Sequence, residues 1–259
     1  MLVLLARQAN VGVILRRGPS KWWHVTLWDT RLDQFTQGQW FHGQMYPERC
    51  DLSPDGKLFI YFAGKFRARE VAKGYGITWT AVSRPPYLRA LALWPMGDTW
   101  GGNGVFLDNR TVLLTTSSLS FGAKHHPDHP PGPLNVVEYY PLREDDPRRD
   151  AVPCWRLGWE RASGSWKKTC GDLTIESQGR FSGSYPSLYT LYRNEGELLG
   201  TFEAHWADWD QQGRLVATAG GRVLEGNLTK DRGLLWRQLT AMNDEKPTPM
   251  ETAKWAQQW

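Results

Sequence analysis

The sequence predicts an all-β fold, an irregular β-propeller of about five blades of roughly 52 residues each, with a short C-terminal helix or tail. Short apolar runs rich in β-branched and aromatic residues alternate with turn residues along most of the chain. This alternation is typical of a sandwich, barrel or propeller, and apolar residues at helical spacing are almost absent. One strand–turn–strand pattern also recurs at a nearly constant interval, which favours the propeller.

The recurring pattern is a polar turn between two short apolar strands, and its turns are centred on Asp55, Asp108 and Gln212. The first two turns lie 53 residues apart, and the third lies 104 residues further on, or two steps of 52. Asp55 is followed by Gly56, and Asp-Gly is the strongest short signal for a hairpin turn. The three segments that carry the pattern are Cys50–Ala63, Val105–Thr116 and Ala207–Gly220.

Two further repeats complete the chain on this spacing. The first is expected to hold strands at Val11–Arg16 and Trp22–Trp28. The fourth is expected near residue 160, where Trp155–Gly164 has strand character but a degenerate turn. We therefore predict a propeller domain over residues 1–243 and a tail rich in Pro and Trp over residues 244–259.

Turn residues between these repeats predict hairpins and loops. Gly220-Gly221 and Asn194–Gly196 are expected to join antiparallel strands. Arg84–Pro86 must form a turn, because proline fixes φ and lacks a backbone donor. Pro, Asp and charged residues concentrate in Gly122–Pro133 and Leu142–Pro153, which are expected to be loops.

The composition indicates an ordinary globular protein without covalent cross-links. Hydrophobic residues make up 41% of the chain and charged residues 22%, which argues against disorder. Cys50, Cys154 and Cys170 show no Cys-x-x-Cys spacing, so neither a disulfide framework nor a cysteine-rich zinc site is expected. No apolar run approaches the length of a membrane span, and Met1–Arg7 lacks the basic start of a signal peptide. We therefore expect a cytoplasmic protein.

The turn Ser53–Lys57 resembles the turn between the first two strands of a blade in WD40 and TolB-type propellers. That resemblance implies an architecture and no chemistry. Trp28-Asp29 and Trp209-Asp210 resemble the Trp-Asp pair of WD40 blades, but the second pair lies in a turn rather than at the end of a blade. The whole chain also resembles uncharacterised bacterial Trp-rich proteins, which implies a subunit of a bacterial multi-protein complex, such as a stress or defence system.

His125, His126 and His129 form the densest cluster of candidate metal ligands, with Asp128 between them. Imidazole and carboxylate groups suit zinc and similar ions. The flanking prolines favour an extended, solvated loop, and a metal site would need a distant further ligand and supporting hydrogen bonds. We therefore predict no metal or other cofactor and keep the three histidines as candidate partner-binding residues.

Two short segments combine features that suit a binding surface. Lys65, Arg67 and Arg69 alternate with an aromatic and a small residue just after a predicted strand, a mixture that can hold phosphate and stack on bases. A solvated connector explains the same residues. Gly97–Gly104 matches neither a P-loop nor a dinucleotide fingerprint, so we interpret it as a link between blades with Trp100 at a channel mouth.

The tail carries Trp255 and Trp259 four residues apart, so both would share one face of a helix. Pro247 and Pro249 separate the tail from the last predicted strand. One interpretation is a helix that packs back on the propeller and covers a sheet edge. The other is an anchor presented to a partner, because Trp is common among binding hot spots.

The leading functional prediction is a non-enzymatic protein-interaction module whose partner is another protein subunit, because no complete catalytic set is visible. A carbohydrate-binding or glycoside-active propeller is the alternative, since the 15 Trp residues could stack on sugars. Such an enzyme would also need two acidic residues facing one channel. Nucleic-acid binding is a weaker alternative, because the net charge is only +4 and the basic residues are scattered. The acidic residues that could supply the pair for glycoside hydrolysis are Asp29, Asp33, Asp51, Asp98, Asp108, Asp172, Asp208 and Asp210.

Overall fold

The computed structural model describes residues 1–116, 124–139, 157–178, 185–194, 196–229 and 233–259. Within these ranges the strands form five separate sheets, and each sheet is built from strands that follow one another in the chain. The predicted all-β fold is therefore confirmed. The predicted loop Leu142–Pro153 and the thiol of Cys154 lie outside the described residues.

Sheets 1 and 2 occupy the first part of the chain. Sheet 1 is antiparallel with the order β1-β2-β3-β4, and sheet 2 has the order β5-β7-β8-β9, with β6 also paired to β7. The strands of sheet 1 are β1 (Leu2–Leu5), β2 (Val11–Arg17), β3 (Trp22–Asp29) and β4 (Gln34–His42). The strands of sheet 2 are β5 (Gln44–Met45), β6 (Asp51–Leu52), β7 (Phe59–Gly64), β8 (Thr78–Ser83) and β9 (Ala92–Pro95).

Sheets 3, 4 and 5 follow in chain order. Sheet 3 is mixed, because β11 pairs antiparallel with β10 but parallel with β12. Its strands are β10 (Asn103–Phe106), β11 (Thr111–Thr115) and β12 (Asn135–Tyr139). Sheet 4 comprises β13 (Glu160–Ala162), β14 (Ser165–Cys170), β15 (Leu173–Ser177), β16 (Ser187–Arg193) and β17 (Glu197–Ala204). Sheet 5 comprises β18 (Trp206–Trp209), β19 (Leu215–Ala219), β20 (Arg222–Thr229) and β21 (Gly233–Ala241).

Helical structure in the described residues is confined to three short elements. They are the α-helix α1 (Ala68–Ala72) and two 3-10 helices, Pro47–Arg49 and Lys254–Ala256. Within the same residues, no helix is long and apolar enough to cross a membrane.

The predicted hairpins are present. Gly220 and Gly221 join β19 to β20, where Ala219 pairs with Arg222, and both glycines adopt the positive φ that such a tight turn requires. Strands β16 and β17 form a second hairpin, whose last pair before the turn is Arg193 with Glu197. The strands expected in the first repeat are also correct, since Val11–Arg16 lies in β2 and Trp22–Trp28 lies in β3.

The recurring sequence pattern corresponds to one structural position, the first turn of a sheet that joins two paired antiparallel strands. The turns near Asp55, Asp108 and Gln212 join β6 to β7, β10 to β11 and β18 to β19. Residues 6–10 form the equivalent turn between β1 and β2 in sheet 1, which the pattern did not reveal because these residues lack the Asp that each of the other three turns contains. In sheet 4, β13 and β14 are instead joined by Ser163 and Gly164 alone.

These first turns lie side by side at one end of the sheets. The amide of Gln8 donates to the carbonyl of Pro54 at 2.8 Å, which joins sheets 1 and 2. The amide of Asp55 donates to Oδ1 of Asn109 at 2.9 Å, which joins sheets 2 and 3. The side-chain amide of Gln211, through Nε2, donates to the carbonyl of Ala6 at 2.7 Å, which joins sheet 5 to sheet 1. The turns of sheets 5, 1, 2 and 3 are therefore linked in that order.

The apolar core follows the same neighbour relationships. One cluster combines β1 and β2 with residues of sheets 2 and 5, such as Phe59 and Val216. A second cluster lies between sheets 2 and 3 around Phe62 and Phe106. A third lies between sheets 4 and 5. Because each open sheet has two faces to cover, burial of these side chains is the main force that holds the sheets against one another.

Of the two forms expected for the C-terminus, a short helix or a tail, the structure shows a tail, which is extended and contains only the 3-10 turn Lys254–Ala256 among its described elements. Carbonyl groups of the tail accept bonds from side chains of the body. Gln39 donates to the carbonyl of Met250 at 2.9 Å, and Arg84 donates to the carbonyl of Gln258 at 3.1 Å. The tail thus runs across β4 and the connection between β8 and β9.

Candidate interaction face

Three connections meet at the end of sheet 2 opposite the first turns. Gly64 pairs with Thr78 and Trp79 pairs with Pro95, so the chain leaves β7 and β9 at the same end. Residues 65–77 connect β7 to β8, and residues 96–102 connect β9 to β10. Residues 124–131 lie beside β9, because the amide of His126 donates to the carbonyl of Leu93 at 2.8 Å. We call these three segments together the basic aromatic face.

The connection 65–77 is closed by local hydrogen bonds. The amide of Lys65 donates to the carbonyl of Ile77 at 2.9 Å, and α1 fills the loop between them. The helix ends after one turn because Gly74 and Gly76 both adopt positive φ. Arg67 and Arg69 lie in the exposed part of this segment, where Nε of Arg69 bonds Oε1 of Glu70 at 3.0 Å.

Lys65 is the most enclosed cation of the segment. Its Nζ lies 5.0 Å from the centre of the Phe41 ring, a cation–π contact that links the segment to β4. Burial lowers the pKa of Lys65 below its usual value, and the neighbouring Arg69 and Arg67 act in the same direction, against the opposing effect of Glu70. The ammonium group is therefore partly fixed, whereas the Arg67 and Lys73 side chains extend into solvent.

The connection 96–102 holds Trp100 on an ordered loop. Asp98 accepts the amides of Trp100 and Gly101 at 2.8 and 2.9 Å through one carboxylate oxygen. Arg49 donates to the carbonyls of Thr99 and Gly101 at 2.8 and 3.1 Å, so the loop is braced from outside. The Trp100 side chain is nevertheless 86% exposed. As predicted, this glycine-rich segment joins two consecutive sheets.

His126 of the histidine cluster joins the segment 124–131 to the connection 65–77. Nε2 of His126 lies 3.0 Å from the carbonyl of Lys73 and therefore carries the proton, while Nδ1 accepts the amide of Asp128 at 3.2 Å. His126 also packs on Tyr75 at 4.8 Å between ring centres. Burial and the nearby His126 lower the pKa of His129, although Asp128 opposes this effect. Across the described ranges, no group of three His, Cys, Asp or Glu residues is placed to hold a metal ion.

The two tail tryptophans contact different parts of the chain, the connection between β8 and β9 and the residue that follows segment 124–131. Trp255 meets Tyr87 edge to face at 5.6 Å between ring centres and remains 59% exposed. The indole of Trp259 packs so closely on Gly132 that a Cβ at that position would clash with it. The structure therefore places the histidines against the connection 65–77 and joins that connection to the loop of Trp100. Trp255 lies on the connection between β8 and β9, and Trp259 borders the segment 124–131.

Several residues of the face were missed in the sequence. Phe66 is 58% exposed and Val71 is 51% exposed, and both lie on the connection 65–77. The neighbouring Lys65 and Arg67 mark Phe66 as a candidate, but a single Val gives no comparable signal. Arg49 supports a loop 50 positions further along the chain, so only the tertiary structure reveals its role.

The acidic residues considered for glycoside hydrolysis have structural partners. Asp29, Asp108 and Asp210 accept backbone amides in turns. Asp108 in particular has its pKa held below the usual value by the amides of Arg110 and Thr111. Asp208 is buried against Lys168, with Nζ 2.6 Å from Oδ1. These bonds hold the turn carboxylates in fixed positions.

The comparisons with known proteins add no family to this geometry. No protein-family model matches the chain, and no curated protein is significantly similar to it.

Proposed function

We propose that this protein is a non-enzymatic protein-interaction module, a scaffold or sensor subunit that binds its partner through the basic aromatic face. The observation that carries the proposal is Trp100, an exposed indole on a loop that Asp98 and Arg49 hold in place. A large apolar side chain on a rigid loop binds at low entropic cost, and Trp is strongly enriched among binding hot spots.

We further infer that the five sheets are the blades of an irregular propeller. The linked first turns of sheets 5, 1, 2 and 3 support this arrangement, because they bring the last sheet of the chain beside the first. The shared core between sheets 4 and 5 extends the series by one blade. In a propeller the connections at one end of every blade gather around the axis, where they form a continuous binding surface.

Exchange of Trp100 for Ala tests this function. The tagged full-length protein, its Trp100→Ala variant and a matched Trp255→Ala control are expressed in the source cells, and captured proteins are quantified by mass spectrometry. Trp255 is also an exposed indole but lies outside the face. We expect the wild type and the control to retain a stoichiometric protein partner that the Trp100 variant loses by about tenfold or more.

Equal capture by all three proteins, or elution of the wild type alone, would refute the proposal. Thermal unfolding of each variant provides the control for folding, since substitution of an exposed side chain changes stability by only about 0.5 kcal/mol.

A second candidate function is nucleic-acid binding, and one observation favours it. Phe66 and Trp100 are exposed aromatic side chains at the same end of sheet 2 as Lys65, Arg67 and Arg69. Aromatic side chains stack on bases and cations contact the backbone of single strands. In the same capture experiment this function predicts that nuclease treatment removes the partner and that binding falls steeply with salt.

A further inference from the structure

The connection 65–77 carries an excess of positive charge that its own residues do not neutralise. Between residues 65 and 73 it contains four cations, Lys65, Arg67, Arg69 and Lys73, and one anion, Glu70, so the formal net charge is +3. Glu70 is buried and bonded to Arg69. Arg67 and Lys73 are exposed. The segment therefore presents cationic groups at the same end of sheet 2 as the loop that carries Trp100.

Apolar and cationic groups share this surface. Val71 and Phe66 are more than half exposed on the same connection as Arg67 and Lys73. Thr78, at the end of this connection, donates its hydroxyl to the carbonyl of Asp98, so the two loops of the face are joined at their bases. A ligand that covers the face must satisfy the cations and bury apolar side chains together.

We propose that the partner contributes an acidic protein segment, in which carboxylates face Arg67 and Lys73 and an apolar side chain packs on Trp100. This inference rests on the proposed function and adds the chemistry of the partner. Complementary charge directs association and excludes basic or neutral competitors, whereas the buried apolar contact supplies most of the affinity.

The composition of the face favours an acidic protein segment over a single-stranded nucleic acid. Val71 offers an aliphatic surface, which suits an aliphatic or aromatic side chain and cannot act as a stacking platform for a base. Lys65 already contacts the Phe41 ring, and Arg69 forms an ion pair with Glu70. Few cations on this connection therefore lack a partner of their own. The affinity for nucleic acid grows with the number of phosphates that cations neutralise, and this connection offers few such cations.

The test is selection of a random 16-residue peptide library, displayed on phage, against the purified full-length protein. Selection is repeated on Trp100→Ala, on the double variant Arg67→Glu/Lys73→Glu and on Arg110→Glu. Arg110 is exposed beside the first turn of sheet 3, at the opposite end of the sheets, and provides the matched charge control. The affinity of the selected peptides and of the oligonucleotide dT16 is then measured by fluorescence anisotropy.

We expect the selected peptides to be acidic with at least one large apolar residue. Their affinity should fall by about tenfold or more in the double variant and in Trp100→Ala, and by less than about twofold in Arg110→Glu. Enrichment of neutral or basic peptides, absence of any enriched peptide, or tighter binding of dT16 than of the peptides would overturn the inference. A partner still captured through Trp100 in any of those cases would leave the proposed function intact and show that only the inferred partner chemistry is incorrect.

Discussion

Arg214 binds Asp33 through both of its terminal nitrogens, with Nη1 2.9 Å from Oδ2 and Nη2 3.0 Å from Oδ1. Arg214 follows the first turn of sheet 5, and Asp33 lies between β3 and β4 of sheet 1. The same guanidinium donates to Asp210 through Nε at 2.7 Å. One side chain therefore fixes the last sheet against the first, although they are separated by 181 positions in the sequence.

Replacement of Arg214 by Ala should destabilise the protein by about 2–4 kcal/mol, because it leaves the buried Asp210 without its cation and Asp33 with only the more distant Arg237. The free energy of unfolding from urea titration provides the measurement. Lys57→Ala is the control, since Lys57 forms an exposed pair with Asp55 and should cost at most about 1 kcal/mol. Equal losses in the two variants would contradict a special role for Arg214.

The acid stability of the protein should depend on Asp33. Burial alone would raise the pKa of Asp33, but its bonds to Arg214 and Trp28 hold the pKa below the usual value of 3.8. A carboxyl group whose pKa is lower in the folded state stabilises the fold above its unfolded pKa and loses that contribution as the pH falls through the folded value. The stability difference between wild type and Asp33→Asn should therefore be constant above about pH 5 and shrink below about pH 4. A difference that grows on acidification would have the wrong sign.

The buried pair of Lys168 and Asp208 should respond unequally to loss of either partner. Asp208 is buried and also accepts the indole of Trp159 at 3.2 Å, whereas Lys168 is partly exposed. We expect Lys168→Met to lower the free energy of unfolding by about 3 kcal/mol, because it leaves a buried carboxylate without its cation. Asp208→Asn should lower it by less, because the lysine can reach water.

The penalty of Lys168→Met should also decrease on acidification. Burial raises the pKa of Asp208, and removal of Lys168 takes away the main opposing effect. The carboxyl group then becomes neutral at a pH well above its usual range, which relieves the uncompensated charge. Urea titrations at pH 7 and pH 5 measure this change. A penalty independent of pH would indicate that the lost interaction is packing rather than charge.

The loop that carries Trp100 should depend on Gly102 more than on Gly97. Both glycines adopt positive φ, but a Cβ on Gly102 would overlap the Phe62 ring, whereas a Cβ on Gly97 meets open space. Gly97→Ala should therefore cost about 1 kcal/mol from backbone strain alone, and Gly102→Ala about 3 kcal/mol from strain and overpacking. Thermal unfolding compares the two variants directly, and similar losses would mean that the ring moves aside freely.

The all-β fold and the position of the first turns could be predicted from local sequence because each depends on neighbouring residues. Asp-Gly at Asp55 and Gly-Gly at Gly220 encode turns through the backbone angles that these residues tolerate. The turn at residues 6–10 has no such signal. The tail is extended although Trp255 and Trp259 are spaced as on one face of a helix, and Gln39 and Arg84 bind its carbonyls.

The sequence by itself determined the strands, the turns and the local groups of basic, aromatic and histidine residues. The tertiary structure decided which of those groups meet. It joined the loop of Trp100 to the connection 65–77 through Thr78 and Asp98, bonded His126 to Lys73 and Asp128, and brought Trp255 against Tyr87. Such contacts depend on how open sheets cover their apolar faces, a requirement that acts between residues far apart in the chain and leaves no pattern in any short segment.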